Sequence, residues 1–335
     1  MQKRILRINA DEQRYLEVLS SRDSQKMKAL VSGYDILFID EAQRVPEIGI
    51  NLKILHDQFP SLKIIVTGSS SFELANKIKE PLTGRTKTFT MYPLAFKELH
   101  AHYNPFELNS LLESVLIYGL YPEVFSLENL KDKQHHLNEL ASSYLYKDVL
   151  DLLNLKHKNK IRHLLQLLAF QIGSEVSLSE IARQLEIGKD TVNSYLDILE
   201  KSFIVFRLSG FSRNLRKEVS KKDKVYFFDL GIRNSIIDNF KPIKLRNDSG
   251  SMWENFLITE RWKKRSYEES HASRYFWRTH TGAELDYVEE TEGTLYGFEF
   301  KFNTKSPKAP ASWLYNYPLS QYTTVNIDNY QSFIL

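Results

Sequence analysis

The sequence contains no cysteine. That excludes a disulfide framework, thiolate metal sites and a cysteine nucleophile together, and a reducing, cytoplasmic setting is the expectation. No uninterrupted apolar run approaches the roughly 18 residues that a spanning helix needs, so no membrane partner is expected. The opening Met1-Gln2-Lys3-Arg4-Ile5-Leu6 is basic but has no apolar stretch of signal-peptide length. Neither sign of charge dominates: 45 basic and 42 acidic residues leave a net charge of +3, which by itself points to no nucleic-acid partner. Internal repeats and low-complexity tracts are missing as well. So is any G-x-x-x-x-G-K-[ST] phosphate loop, since the one Gly-Lys pair, Gly188-Lys189, is followed by Asp190.

What is present is material for cores. Of 335 residues 42% are hydrophobic, among them 20 Phe, 18 Tyr and 4 Trp, too many large apolar groups for a disordered chain. The length suits two domains or three small ones. Asp35 to Asp40 and Leu62 to Gly68 read as buried strands, and Ile50 to Phe59 as the helix between them, with Leu52, Leu55 and Phe59 at helical spacing. Strand, helix, strand at this spacing predicts a parallel crossover unit. Residues from about 105 to 170 read as helical. Ser177 to Phe211 reads as helix, tight turn, helix, strand. Beyond Met252 comes a helix followed by strands at Arg274 to Trp277, Ala283 to Val288 and Thr294 to Phe302. The expected α/β architecture has three modules: residues 1–100, a helical region 101–240 with a helix–turn–helix at about 160–230, and residues 250–335.

The first candidate site closes the strand Ile36-Leu37-Phe38-Ile39 with Asp40-Glu41. Carboxylates at a buried strand end are costly unless a metal or polar ligand meets them. In P-loop NTPases the first acid of this pattern helps hold Mg²⁺ and the second can polarise the attacking water. A solvated loop start is the alternative. The next strand ends in Thr67-Gly68-Ser69-Ser70, whose hydroxyls at Thr67, Ser69 and Ser70 could reach a γ-phosphate. Pro81-Leu82-Thr83-Gly84-Arg85 then sets a guanidinium on a loop, the planar cation suited to phosphoryl-transfer charge.

Asp40-Glu41-Ala42-Gln43, Thr67-Gly68-Ser69-Ser70, Leu82-Thr83-Gly84-Arg85 and Tyr92-Pro93-Leu94, taken in order, resemble the AAA-superfamily ATPases of bacteria and archaea that carry a C-terminal domain of unknown function 4143. The resemblance continues through Tyr118 to Glu123 and Tyr226 to Gly231 to the C-terminus. It implies an AAA-like parallel α/β portion, ATP and Mg²⁺ as ligands, a homo-oligomer, and Arg85 acting across a subunit boundary. The family's Gly-rich loop with its lysine is the departure. Ile5 to Ala10 resembles the strand after that loop, so the first strand and P-loop are missing, by truncation or by loss. Without the cradle the chain as written is expected to bind ATP weakly or not at all and to be defective in hydrolysis.

In the middle, Ser177-Leu178-Ser179-Glu180 is a capping-box pattern, Ile187-Gly188 a turn, and Val192, Tyr195, Leu196 and Leu199 one face of a second helix. With the following strand this is a winged-helix arrangement, whose second helix would enter a major groove through Lys189, Asp190, Asn193 and Ser194. Lys201 to Lys224 holds eight basic residues against two acidic ones, and Arg213, Arg216 and Lys217 are its candidate phosphate contacts to DNA. A packing module with a solvated basic loop is the other reading.

Toward the C-terminus, Glu299-Phe300-Lys301 puts an acid and a lysine on one strand face. Asp286 would join them if its strand pairs with theirs, through a turn at Glu289 to Gly293. Glu254, on the preceding helix, would supply a further group. This Glu…Asp…Glu-x-Lys order resembles the core of PD-(D/E)XK nucleases, with Glu254, Asp286 and Glu299 as ligands of a divalent metal and Lys301 orienting water. A same-face ion pair is the structural alternative. Two functional classes therefore stand beside the ATPase: a metal-dependent nuclease-like protein, and a non-catalytic DNA-binding or interaction protein.

Overall fold

Three short aliphatic runs closed by polar residues make the N-terminal sheet: β1 (Ile5–Asn9), β2 (Ile36–Asp40) and β3 (Lys63–Val66). The computed structural model describes residues 3–68, 82–144, 158–213, 222–270 and 272–335, and the chain divides into two units, Met1–Thr90 and Met91–Leu335. In the first, the strands lie in chain order and run parallel, with Ile36 opposite both Ile5 and Lys63. Parallel neighbours require crossovers. Helices α1 (Gln13–Leu19) and α2 (Ser24–Val31) provide the first and α3 (Ile48–Gln58) the second. Asp23 starts α2 by accepting from Gln25 N at 2.8 Å and Lys26 N at 3.2 Å, which satisfies two open donors of its first turn. Leu37 and Ile39, two residues apart on one sheet face, share a core with Leu52 and Leu55 of α3. The parallel unit expected over this region is present, with strand and helix ends within two residues of their expected places.

The second unit opens with helices α4 (Phe96–His100), α5 (Pro105–Tyr118), α6 (Pro122–Ser126) and α7 (Leu130–Glu139), followed after residue 157 by α8 (Lys158–Phe170). Asn104 fixes the start of α5: its side chain accepts from Phe106 N and Glu107 N at 3.0 Å, and Glu107 accepts from Asn104 N at 2.8 Å. Next come α9 (Leu178–Leu185) and α10 (Lys189–Lys201), then the antiparallel strands β4 (Val205–Gly210) and β5 (Lys224–Phe227). Ser177 caps α9 by accepting from Glu180 N at 3.4 Å. The bend between α9 and α10 turns on Glu186, which adopts φ +51°, while Gly188, expected to carry the turn, has an ordinary φ of −67°.

After α11 (Leu230–Ile236) and the long α12 (Ser249–Tyr267), strands β6 (Ser273–Arg278), β7 (Glu284–Thr291), β8 (Thr294–Lys301) and β9 (Gln321–Asn326) complete one six-stranded sheet in the order β5-β4-β6-β7-β8-β9. Helices α13 (Ala311–Asn316) and α14 (Tyr330–Ile334) finish the chain. The expected middle and C-terminal modules share this sheet, and one core joins Leu116 and Leu164 to Phe206, Trp253, Phe298 and Ile334. The hairpin between β7 and β8 turns later than expected, on Glu292 and Gly293 with φ +51° and +80°, the pair of left-handed residues that a two-residue hairpin loop requires. Glu289 therefore stands inside β7 and is fully buried.

Candidate functional site

The N-terminal candidate lies at the C-terminal edge of the parallel sheet, the edge where open α/β sheets bind ligands. Asp40 is the last residue of β2, and Thr67 directly follows β3, the strand beside it. Thr67 N donates to Ile39 O and Ala42 N to Thr67 O, both at 2.9 Å, so the two strand ends are tied by backbone. The Thr67 hydroxyl donates to Asp40 Oδ1. Glu41 leaves the strand at φ +54°, a left-handed conformation that costs a non-glycine residue energy and is held where the surroundings fix it. Gln43 Nε2 donates to Glu41 Oε2 at 2.5 Å. Two carboxylates with separate hydroxyl and amide donors thus stand side by side, Asp40 exposed and Glu41 half-buried. Ser69 and Ser70 lie outside the described residues.

Arg85 is not brought to this edge. Its guanidinium pairs with Asp57 at 2.6 Å, and Asp57 belongs to the last turn of α3, shortly before β3 begins. Since α3 returns antiparallel to the strands, Arg85 and Asp40 sit at opposite ends of the sheet. The side chain of His56, helped by Arg85, holds the Asp57 carboxyl below its usual range. The pair is surface-exposed and contributes little stability.

The C-terminal candidate is built on β7, β8, α12 and β5. Tyr287 faces Phe298 across β7–β8, which makes Asp286 and Glu299 the next pair along the ladder, on a common face. Asp286 is buried and its Oδ2 accepts from Phe300 N at 2.7 Å. Burial, then the charges of Glu254 and Glu299, push its carboxyl well above the usual range. Lys301 donates to Glu299 Oε1 at 2.6 Å. Glu254 of α12 is engaged by two groups that the sequence reading missed: Lys224 Nζ at 3.0 Å and the Tyr226 hydroxyl at 2.5 Å, both on Oε1. Glu284 is a third, 3.7 Å from the same ammonium. The available signal was spacing, because Lys224 and Tyr226 on β5 and Glu284 and Asp286 on β7 are each two residues apart on one strand face.

This geometry bears on two of the expectations. Among the described residues no group of three or more His, Asp or Glu side chains is set to hold a metal ion. Ammonium groups meet two of the acids: Lys224 pairs with Glu254, and Lys301 with Glu299. Lys224, counted in the sequence among the basic groups of a wing, is 4% exposed and faces the carboxylates. The DNA-contact candidates are placed as follows. Asn193 accepts from Arg207 Nη1 at 3.0 Å, and Arg213 pairs with Glu290. Lys189 is exposed at the start of α10. Arg216 and Lys217 lie outside the described residues.

Three family models match the chain in succession: an AAA domain over residues 1–100, a domain of unknown function (DUF8612) over 109–242, and a domain of unknown function (DUF4143) over 249–329. An uncharacterized protein of Mycobacterium tuberculosis is 26% identical over 297 residues, covering 88% of this chain and 64% of its own length. One from Methanocaldococcus jannaschii is 24% identical over 286 residues, covering 78% of this chain and 64% of its own. One from Haemophilus influenzae is 26% identical over 247 residues, covering 70% and 61%. The chain spans less than two thirds of the length of these relatives.

Proposed function

We propose, for a chain that joins an N-terminal AAA domain to a C-terminal domain of unknown function (DUF4143), that Asp40, Glu41 and Thr67 form the cation and water side of an ATP-hydrolysing site. The observation that carries the reading is the pairing of Asp40 with the Thr67 hydroxyl beside a left-handed Glu41, at the carboxyl edge of adjacent parallel strands. Oxygen donors of this kind suit Mg²⁺, a hard cation that keeps several waters and takes one or two carboxylates. Mg-ATP, when bound, supplies the phosphoryl group and the charge that offsets it. Thr67 fixes the orientation of Asp40 toward the cation. Glu41, just past the strand end and holding Gln43 Nε2 on one oxygen, orients a water and accepts its proton.

The phosphate side is not supplied by these 335 residues, whose sequence holds no Gly-rich loop followed by lysine. The chain as it stands is therefore a weak ATP binder. Arg85, at the far end of its own sheet and paired with Asp57, serves the site of a second copy rather than its own. In the second unit, α9, α10 and the β4–β5 pair take a winged-helix arrangement that packs rather than reads DNA. Arg207 of β4 ties down Asn193, Asp197 and Glu200, one face of the helix that would enter a groove. Strands β6 to β9 with α12 form a nuclease-like framework.

The test is made in a polypeptide that joins this chain to a phosphate loop. There Glu41→Gln should reduce hydrolysis at least about 100-fold while ATP binding is kept. Hydrolysis at the unsubstituted rate in Glu41→Gln would remove the role given to that residue.

A further inference from the structure

The second unit holds a group whose position the ATPase reading does not use. Lys224 opens β5 and is 4% exposed, with its Nζ 5.4 Å from the centre of the Phe276 ring. Burial alone would strip the proton from such an ammonium. Here Glu254 at 3.0 Å, Glu284 at 3.7 Å and the nearby Asp286 outweigh burial and keep it charged. We propose that the Lys224 ammonium is the resident cation of Glu254 and Asp286, as Lys301 is of Glu299, standing where a nuclease-like site would take a divalent ion, so that these acids hold no exchangeable metal.

The hydrogen bonds fit that assignment at each acid. Glu254 Oε1 receives both Lys224 Nζ and the Tyr226 hydroxyl, two donors on one oxygen. Asp286 Oδ2 is taken by Phe300 N, and Glu299 Oε1 by Lys301 Nζ. A divalent ion entering from solvent would meet an unreleased positive charge and carboxylates that already have donors. Lys224 cannot swing away cheaply, because its strand is buried throughout and its side chain is almost wholly enclosed. The role is therefore one of positioning and charge substitution. It differs from an ordinary surface ion pair, whose partners exchange freely with solvent.

The probe is Mn²⁺, titrated calorimetrically into the full chain, with circular dichroism as the folding control. The unsubstituted chain should give no binding that Asp286→Asn alters. Lys224→Met, which keeps the length and removes the charge, should create one Mn²⁺ site at least roughly 10-fold tighter than any in the parent, and adding Asp286→Asn should abolish it. If Lys224→Met does not fold, Lys224→Met with Glu284→Gln removes one charge of each sign, leaves Glu254, Asp286 and Glu299 in place, and is read the same way. Two results would overturn the assignment. One is Mn²⁺ binding by the parent that Asp286→Asn abolishes. The other is a folded Lys224 variant that takes up no Mn²⁺.

Discussion

A carboxylate with no solvent exposure is tolerable only where cations surround it, and Glu289 has two. Its Oε1 accepts from Arg261 Nε at 2.8 Å, and its Oε2 from Arg261 Nη2 at 2.7 Å and Arg265 Nη2 at 2.9 Å. Burial opposes the charge, but these arginines hold the carboxyl down at about 2, against 4.5 for an ordinary Glu. A depressed carboxyl contributes stability above its unfolded pKa and loses it as pH falls through the folded value. The contribution, about 3 kcal/mol from that shift, should be complete at pH 7 and fade between roughly pH 4.5 and 2. Urea denaturation of Glu289→Gln should therefore show a loss of about that size at pH 7 that shrinks toward pH 2; a loss independent of pH would contradict it. The sequence hid this residue because Glu289-Glu290-Thr291-Glu292-Gly293 reads as a polar turn, and its arginine partners lie more than 20 positions away. Gly119 makes a second residue-scale case. It has φ +74°, and an added Cβ would lie 2.1 Å from Asp229 Oδ1, the buried carboxylate that accepts from Leu120 N at 2.7 Å. Gly119→Ala should cost about 3 kcal/mol or prevent folding, whereas Gly250→Ala, on α12 with open space around it, should stabilise by roughly 0.5–1 kcal/mol in thermal melts.

At the scale of elements, local rules carried the reading far. Period-2 and period-3.6 patterns located β2, β3, α3, α9, α10, β7 and β8, because each buries one face and shows it in the spacing of its apolar residues. The charged groups were less legible. Arg207 looked like one of eight basic residues in a wing, yet it donates to Asp197 and Glu200 at 2.5 Å and to Asn193 at 3.0 Å. Asn193, Asp197 and Glu200 sit at i, i+4 and i+7 on α10, a spacing that marks one face but not which strand will cover it. Arg207→Ala should leave Asp197 and Glu200 without their shared cation and lower stability by about 1–2 kcal/mol, a value discounted because both acids are partly exposed. Restoring balance with Glu200→Gln in the same chain should recover part of the loss. A chemical denaturation curve for Arg207→Ala that superimposes on the parent would argue that the network adds nothing. The C-terminal acids followed the same pattern. Glu299-x-Lys301 and Asp286 were readable from strand periodicity, while Lys224 came from a segment whose register no local rule predicts.

For the whole molecule, the order of motifs carried more than any one of them. An AAA domain followed by a DUF4143 domain was legible from short motifs such as Asp40-Glu41 and Tyr226 to Gly231, each of which recurs by chance. What stayed out of reach was the distribution of labour between ends of the first sheet: Arg85 follows Leu82 in sequence, but its partner Asp57 sets it a sheet's length from Asp40. The same topology predicts that Arg85→Ala leaves the thermal melt of the first unit nearly unchanged, because the pair with Asp57 that it removes is exposed to solvent. Any effect on hydrolysis would then report on the partner copy's site, and mixtures of Arg85→Ala and Glu41→Gln chains, each furnished with a phosphate loop, should regain activity that neither has alone.

The central claim is that the AAA domain in this chain holds the cation and water side of an ATP site without the phosphate side. Calorimetric titration of Mg-ATP into the chain, alongside Asp40→Ala, tests it most directly. The expected result is no binding in the micromolar range for either protein. Micromolar Mg-ATP affinity in the parent chain that Asp40→Ala abolishes would contradict the account, since it would require a phosphate cradle within these 335 residues.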